Sequence, residues 1–288
     1  MTEQITFIIP TRNNLPYLKL CYYSITYYAP THLIQILDDN SNDGTKEWVE
    51  SLTDKNLTYS FHINSDVEPT GHTVLYNVGF VNAATNVCCV LHADMIIGPN
   101  FVENLLKHLK PKTVVSATRI EPPLHPAGKE KIINDFGIYP DQFQLIPFDN
   151  FVINEQKNIL NFNITTNGFF APWMMYKNDY LEIGGTDELF APYPHEDVDF
   201  ANRCVLAGYN LIQSRDSLVY HFTCRGHRWT KEVGHNHEYY EFYEKKAMKN
   251  FLRKWGVPPQ MDEYSYPVTT HRFNIGLIIK NDYIDRTI

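Results

Sequence analysis

Short β-rich runs alternate with helical patterns through the first ~120 residues, and that rhythm constrains the fold more than any other feature. Ile5 to Ile9 is apolar and β-branched, and Pro10 is read as its stop. Leu33–Leu37, Leu57–Ile63, Val87–Leu91 and Thr113–Ala117 read as further strands. Between them, Leu15–Tyr28, Lys46–Leu52, Thr73–Ala84 and Phe101–Leu109 carry helical spacing, with Asn13 and Asn14 offering the first N-cap. Runs that are apolar throughout suit strands buried on both faces. Strands alternating with helices imply right-handed βαβ units wound into one sheet. Such sheets bind ligands beyond the carboxyl ends of their strands, where Asp39 and Asp94 stand.

The rhythm fails from Glu121 to Asn163, where five prolines and mixed polarity suggest a long excursion or lid. It resumes with the aromatic run Phe169–Tyr176, a short helix from Asn178 closed by Gly184-Gly185, and a helix from His195 to Gly208. A long helix from Glu238 to Trp255 and one late strand-like run, Phe273–Ile279, complete the pattern. A net charge of −8 argues against nucleic acid as the main partner. Five cysteines without Cys-x-x-Cys spacing indicate neither a disulfide framework nor a zinc-thiolate site, and fit a reducing compartment. The N-terminus lacks a basic region and cleavage site, and no apolar run spans a bilayer, so a soluble cytoplasmic protein without a transmembrane segment is expected.

Three acidic clusters sit at element ends: Asp38/Asp39, Asp94, and Glu196/Asp197 with Asp199. An acid there is often only a turn-former or helix cap. The chemical alternative is a divalent cation on Asp94, because Mg²⁺ and Mn²⁺ sites use one or two carboxylates and complete the shell with phosphate and water. His221, after the apolar Leu218-Val219-Tyr220, is either structural or an imidazole for Mn²⁺. Glu196 and Asp197 either complement a helix dipole or supply a general base.

In this order the motifs resemble the family 2 glycosyltransferases of the A-type nucleotide-sugar fold, over roughly residues 4–256. The likeness rests on Pro10-Thr11-Arg12-Asn13, the Asp-Asp-x-Ser-x-Asp-Gly-Thr turn at Asp38–Thr45, Asn77-Val78-Gly79, His92-Ala93-Asp94, Gly184-Gly185-Thr186-Asp187-Glu188-Leu189-Phe190 and Glu196-Asp197-Val198-Asp199. It implies an α/β, single-domain A-type fold: a Rossmann-like, mostly parallel sheet with helices on both faces. Residues 1–120 form its nucleotide-sugar-binding half, 121–256 its acceptor-binding half, and 257–288 a C-terminal extension. The resemblance gives Pro10, Thr11, Arg12, Asn13 and Asp39 to the nucleobase, and carries Asn77 over with the donor motifs. It gives His92, Ala93 and Asp94 to the metal–diphosphate site, with His92 where the family usually has aspartate. His221 matches a late metal-ligating histidine. Asp197 becomes the base of an inverting transfer, Glu196 an acceptor contact and Arg203 a partner of these acids. Arg225 or Arg228 is either a diphosphate contact or part of a basic surface loop.

The cofactors implied are Mn²⁺ or Mg²⁺ and a UDP-sugar donor, with dTDP satisfying the same base contact. The acceptor is a glycan or other hydroxyl compound, expected to stack on Phe169, Phe170 and Trp173, since aromatic faces suit the apolar faces of sugars. Two other readings stay open. One is a sugar nucleotidyltransferase, against which the loop Thr11–Leu15 lacks a glycine. The other is a non-catalytic nucleotide- or glycan-binding module.

Overall fold

The structure is a computed structural model and describes residues 3–61, 69–159, 164–225, 228–229 and 232–268. The strand-like run Phe273–Ile279 lies outside the described residues, as does the end of the run expected to reach Ile63. The chain folds as β1 (Ile5–Thr11), α1 (Leu15–Tyr28), β2 (Leu33–Asp38), α2 (Thr45–Glu50), β3 (Leu57–Phe61), α3 (His72–Asn82), β4 (Val87–Val90), β5 (Met95–Ile97) and α4 (Phe101–Leu106). It continues through β6 (Thr113–Glu121), β7 (Lys131–Ile133), α5 (Leu145–Ile159), β8 (Thr165–Asn167), β9 (Trp173–Tyr176), α6 (Lys177–Ile183), α7 (Glu196–Leu206), β10 (Asn210–His221) and α8 (Tyr240–Trp255).

Central placement of β1 follows from its side chains. Ile5, Phe7 and Ile9 join one core with Leu18, Cys21 and Ile25 of α1 and Phe101 of α4. Ile8 joins the opposite core with Leu75, Tyr76 and Phe80 of α3. Successive residues face opposite sides of a strand, so an apolar run needs a helical layer on each side. The sheet order is β3-β2-β1-β4-β9-β6-β10-β5, with β7 on β6 and β8 on β10. The first four strands are parallel. The rest departs from the simple expectation: β9 inserts antiparallel between β4 and β6, and β5 and β8 run antiparallel to β10. Pro10 does not stop β1. Pairing with β4 ends at Ile8↔Val90, while pairing with β2 continues to Thr11. Pro10 therefore sits where one side has no ladder to donate to.

The stretch expected as a long excursion is structured. It holds β7, a 3-10 turn at Pro140–Gln142 and the 15-residue helix α5. Phe148 and Val152 of α5 pack with Ile120, Tyr220 and Phe222 in a further core. Pro147 falls in the first turn of α5, where a missing N–H breaks no helical bond. The described part of the C-terminal stretch packs back on its own chain: the Phe169 N–H donates to the Ser265 carbonyl, and Lys129 pairs with Glu263 at 2.7 Å. Asp199, fully buried, pairs with Arg203 of its own helix (2.9 Å) and holds α8 to α7 through Lys254 (2.6 Å) and the Trp255 indole N–H (2.9 Å). Arg203 thus pairs with Asp199 rather than Asp197. All five cysteines are free thiols. Among the described residues, no helix is long and apolar enough to cross a membrane.

The close approach of α3 to the sheet depends on Gly79, where an added Cβ would lie 2.4 Å from Ile8 Cγ2. Ile8 is a fully buried β-branched residue in the central strand and cannot move aside cheaply. Gly79→Ala is expected to destabilise the protein by about 1–3 kcal/mol through overpacking, read as a lower denaturation midpoint at unchanged m-value. An unchanged midpoint would show that α3 yields instead.

Candidate functional site

The loops after β1, β2 and β4 meet at one sheet edge and are stitched together by hydrogen bonds. The Asp39 N–H donates to the Thr11 carbonyl. Asn13 donates its N–H to Ser41 Oγ and accepts from the Asn42 N–H. Within the acidic turn, Asp38 accepts from the Ser41 N–H and the Tyr59 hydroxyl, so it is a structural brace. Asp43 Oδ2 accepts the Leu15 N–H at 2.8 Å. The cap of α1 therefore comes from the neighbouring loop, since Asn14 at the N-cap position makes no side-chain cap bond. Asp39, 2% exposed, accepts from the Thr70 and Gly71 N–H groups at 3.0 Å each and pairs with Arg12 at 3.9 Å. Gly71 permits this at φ +79°, because a Cβ there would meet the Pro192 carbonyl oxygen at 2.3 Å.

A second group gathers where β5 pairs with β10. The register His221↔Met95, with the Phe222 N–H donating to the Asp94 carbonyl, brings His221 beside the His92-Ala93-Asp94 turn. His92, Asp94 and His221 offer ligand atoms within 4.8 Å of one another. His221 Nε2 lies 3.6 Å from Asp94 Oδ2, and the Tyr76 hydroxyl bonds His92 Nε2 at 2.7 Å. Burial raises the Asp94 carboxyl above its ordinary value, while His221 and Arg225 oppose that shift. Two imidazoles and one carboxylate form a donor set that suits a divalent transition ion and leaves positions for phosphate and water.

Arg225 completes this group. Thr223 and Cys224 both take positive φ, +64° and +57°, and turn the chain so that the Arg225 N–H donates to Asp94 Oδ2 at 3.0 Å. Its guanidinium is enclosed by Tyr17, Tyr139 and Trp229, with ring centroids 5.4–5.7 Å away. Nη2 donates to the Ile138 carbonyl, whereas Nε and Nη1 are buried without hydrogen-bond partners. Buried donors of this kind cost free energy unless an acceptor arrives. Arg228 stands apart, stacked on Tyr240 at 5.1 Å.

Asp39 and Gly71 of the first group and His92, Asp94 and Arg225 of the second line one cleft of about 1170 Å³, together with Pro10 to Asn14, His72, Tyr193, His237, Tyr239 and Tyr243; His221 is not among the lining residues. Behind its wall, Glu196 Oε1 lies 2.6 Å from His72 Nε2. Asp197, next along α7, is not among the residues that line the cleft; its residue surface is exposed, while protein packs around its carboxyl. The surrounding protein and the Glu196 charge raise its carboxyl to about 6, with the Val198 N–H and His72 pulling the other way. That value keeps the group basic enough to take a proton yet ionised near neutrality.

Several expected site residues lie elsewhere. Phe169, Phe170 and Trp173 are 2%, 6% and 3% exposed. Trp173 stacks on Phe80 and Phe200, Phe169 packs against Trp173 and Phe200, and Arg119 covers Phe170. These ring faces are occupied by the core, so they offer no acceptor platform. Asn77 turns to the Gly185–Thr186 loop, bonding the Tyr180 hydroxyl and the Thr186 backbone, and does not line the cleft. The sequence reading missed His72, Tyr76, Tyr193 and Glu121. The last accepts from His221 Nδ1 at 2.9 Å, and nothing in its local sequence signals that contact.

A search of curated protein sequences finds no match. Among solved structures, the chain is similar to GalNAc-T7 in a complex with UDP, GalNAc and Mn²⁺: TM-score 0.56, 12% identity, 76% of this chain and 43% of that one. It is similar to the mannosyltransferase PcManGT from Pyrobaculum calidifontis, in complex with GDP-Man and Mn²⁺: TM-score 0.55, 17% identity, 89% and 64%. A third likeness is to residues 1–349 of TarS from S. aureus: TM-score 0.53, 14% identity, 76% and 60%. At these identities the likeness shows the fold, and the chain spans less than two thirds of each of the three. The glycosyl transferase family 2 model matches residues 6–182, from β1 into α6, with the Asp38–Thr45 turn and Asp94 inside the match. Covering well over half of the 288 residues, that match establishes that the chain belongs to glycosyl transferase family 2.

Proposed function

We propose that this chain transfers a sugar from a nucleoside-diphosphate donor to an acceptor hydroxyl, with a divalent ion and inversion at the anomeric carbon. The observation that carries the reading is the joint presence, along one cleft, of the Pro10–Asn13 and Asp39 wall and of His92 and Asp94, with the ligand atoms of His221 within 4.8 Å of theirs. The wall seats the base. Asp39 carries an acceptor for a pyrimidine N3–H, which favours UDP, with dTDP making the same contact. His92, Asp94 and His221 would hold Mn²⁺ or Mg²⁺, which when bound would supply counter-charge to the departing diphosphate. Arg225, whose Nε and Nη1 have no hydrogen-bond partner, supplies counter-charge to the same diphosphate.

Asp197 acts as the general base. It takes the acceptor O–H proton as that oxygen bonds the anomeric carbon, and the bond from carbon to the diphosphate oxygen breaks with its electron pair. His72 holds Glu196 beside the base. With Phe169, Phe170 and Trp173 in the core, the exposed aromatic face on the cleft wall that suits the acceptor's sugar is Tyr239. The printed ligands of the similar structures, UDP in one and GDP-Man in another, each with Mn²⁺, support a nucleotide-sugar donor and a metal.

The decisive assay incubates the protein with UDP-, dTDP- and GDP-sugars, with and without Mn²⁺, and follows nucleoside-diphosphate release. Pyrophosphate released from a nucleoside triphosphate would instead mark a nucleotidyltransferase. Asp197→Asn should lower transfer by about 10²–10⁴-fold while leaving nucleotide affinity near the wild-type value; full turnover by this variant would remove the base assignment. In the wild type, kcat/KM should rise with pH through about 6, because the base works only when deprotonated. A profile flat between pH 5 and 7 contradicts that role. Asp94→Ala should abolish Mn²⁺-dependent UDP binding in calorimetry, and the two imidazoles predict tighter binding of Mn²⁺ than of Mg²⁺. UDP affinity equal with and without metal would sink the metal assignment.

A further inference from the structure

Glu121 closes β6 at 3% exposure, between two neighbouring strands. The β6–β7 register sets Arg119 opposite Lys131 and Glu121 opposite Ile133, and the β6–β10 register sets Ile120 opposite Tyr220, one residue before His221. Three cationic or protonatable groups therefore converge on one carboxylate. Oε2 accepts from Lys131 Nζ at 2.9 Å, and Oε1 lies 2.9 Å from His221 Nδ1 and 3.4 Å from Arg119 Nε. Lys131 is itself buried, its side chain 7% exposed, so the carboxylate is held on one oxygen by a fixed cation. That pairing leaves Oε1 for the histidine.

We propose that Glu121 is the positioning residue of the metal centre: it fixes the His221 imidazole with its hydrogen on Nδ1, so that the lone pair of Nε2 faces Asp94 and the ion. A carboxylate paired with Lys131 can only accept, so the hydrogen between Glu121 and His221 belongs to Nδ1. Nε2, 3.6 Å from Asp94 Oδ2, is then the donor atom. Outer carboxylates that accept from a ligating histidine fix its orientation and raise its basicity, and their loss typically weakens metal binding about 10–100-fold. Neutralising Glu121 needs Lys131 alone, whereas the bond to His221 reaches across to another strand and sets the direction of a ring. The inference rests on the metal reading proposed above, and the test separates the two.

Long-range ¹H–¹⁵N correlation spectra of the full chain without metal report the His221 tautomer directly. The wild type is expected in the Nδ1–H form, and Glu121→Gln in a mixture, because an amide can donate or accept. Calorimetry with Mn²⁺ in the presence of UDP is expected to show about 10–100-fold weaker Mn²⁺ binding by Glu121→Gln. The pair Glu121→Gln with Lys131→Met removes the facing charge as well, and replaces the single variant if that one does not fold. A wild-type His221 in the Nε2–H form overturns the inference. So does unaltered Mn²⁺ affinity in a folded Glu121 variant, given a wild type that binds Mn²⁺. A wild type with the Nδ1–H form that does not bind Mn²⁺ overturns the metal role and leaves only a structural bond.

Discussion

A strand buried on both faces can carry chemistry only at its ends, and β1 imposes this on the whole chain. Ile5 through Ile9 are essentially inaccessible, with Ile8 against Gly79 on one side and Ile5, Phe7 and Ile9 against α1 and α4 on the other. Each large apolar side chain buried there is worth about 1.5–3 kcal/mol, and an unpaired polar group in its place would cost a similar amount. The charged residues Arg12, Asp39 and Asp94 accordingly stand beyond Thr11, Asp38 and Val90, the ends of β1, β2 and β4. Because these strands are parallel, their ends share one edge, and the two halves of the cleft become neighbours.

Legibility in the sequence follows the same physics. The first half was readable because buried parallel strands are apolar without interruption and their helices carry 3.6-residue spacing. Asp39, Asp94 and His221 could be proposed because polar residues directly after such strands stand out. Other features left no local mark. β9 inserts between β4 and β6 from a distant part of the chain, and its antiparallel direction is set by tertiary packing. The prolines of 121–163 suggested irregularity, yet Pro147 sits in the one turn of a helix that tolerates it. Phe169, Phe170 and Trp173 looked like a sugar platform because composition does not say whether an aromatic ring keeps a face open. Glu121 looked like the end of a strand and nothing more, since its partners lie 10 and 100 residues away.

His92 shows how one substitution reads differently in three dimensions. Along the chain it replaces a carboxylate and reads as the loss of one acidic ligand. In space it stands with His221 beside Asp94, so a second imidazole stands where the family usually has a second acid. That exchange lowers the negative charge of the cluster by one, and a donor set with two imidazoles suits a transition ion better than the all-oxygen shell that Mg²⁺ favours. Arg225 brings a positive charge beside the same cluster, its backbone N–H donating to Asp94. Tyr17, Tyr139 and Trp229 enclose its guanidinium, and stacked rings hold such a group without occupying its N–H groups.

Three carboxylates near the cleft are held in three electrostatic states by their surroundings alone. Glu121, against Lys131, Arg119 and His221, is kept well below the usual carboxylate range despite its burial. Asp94 is raised by burial, with His221 and Arg225 in opposition. Asp197 is raised to about 6 by the surrounding protein and the adjacent Glu196. Environments that push similar groups apart are how one fold separates tasks. The three differ in character: Glu121 stays ionised and can orient a ring, Asp94 lies buried beside two imidazoles, and Asp197 is basic enough to accept a proton. Each state follows from the groups packed around the residue, not from the carboxyl itself.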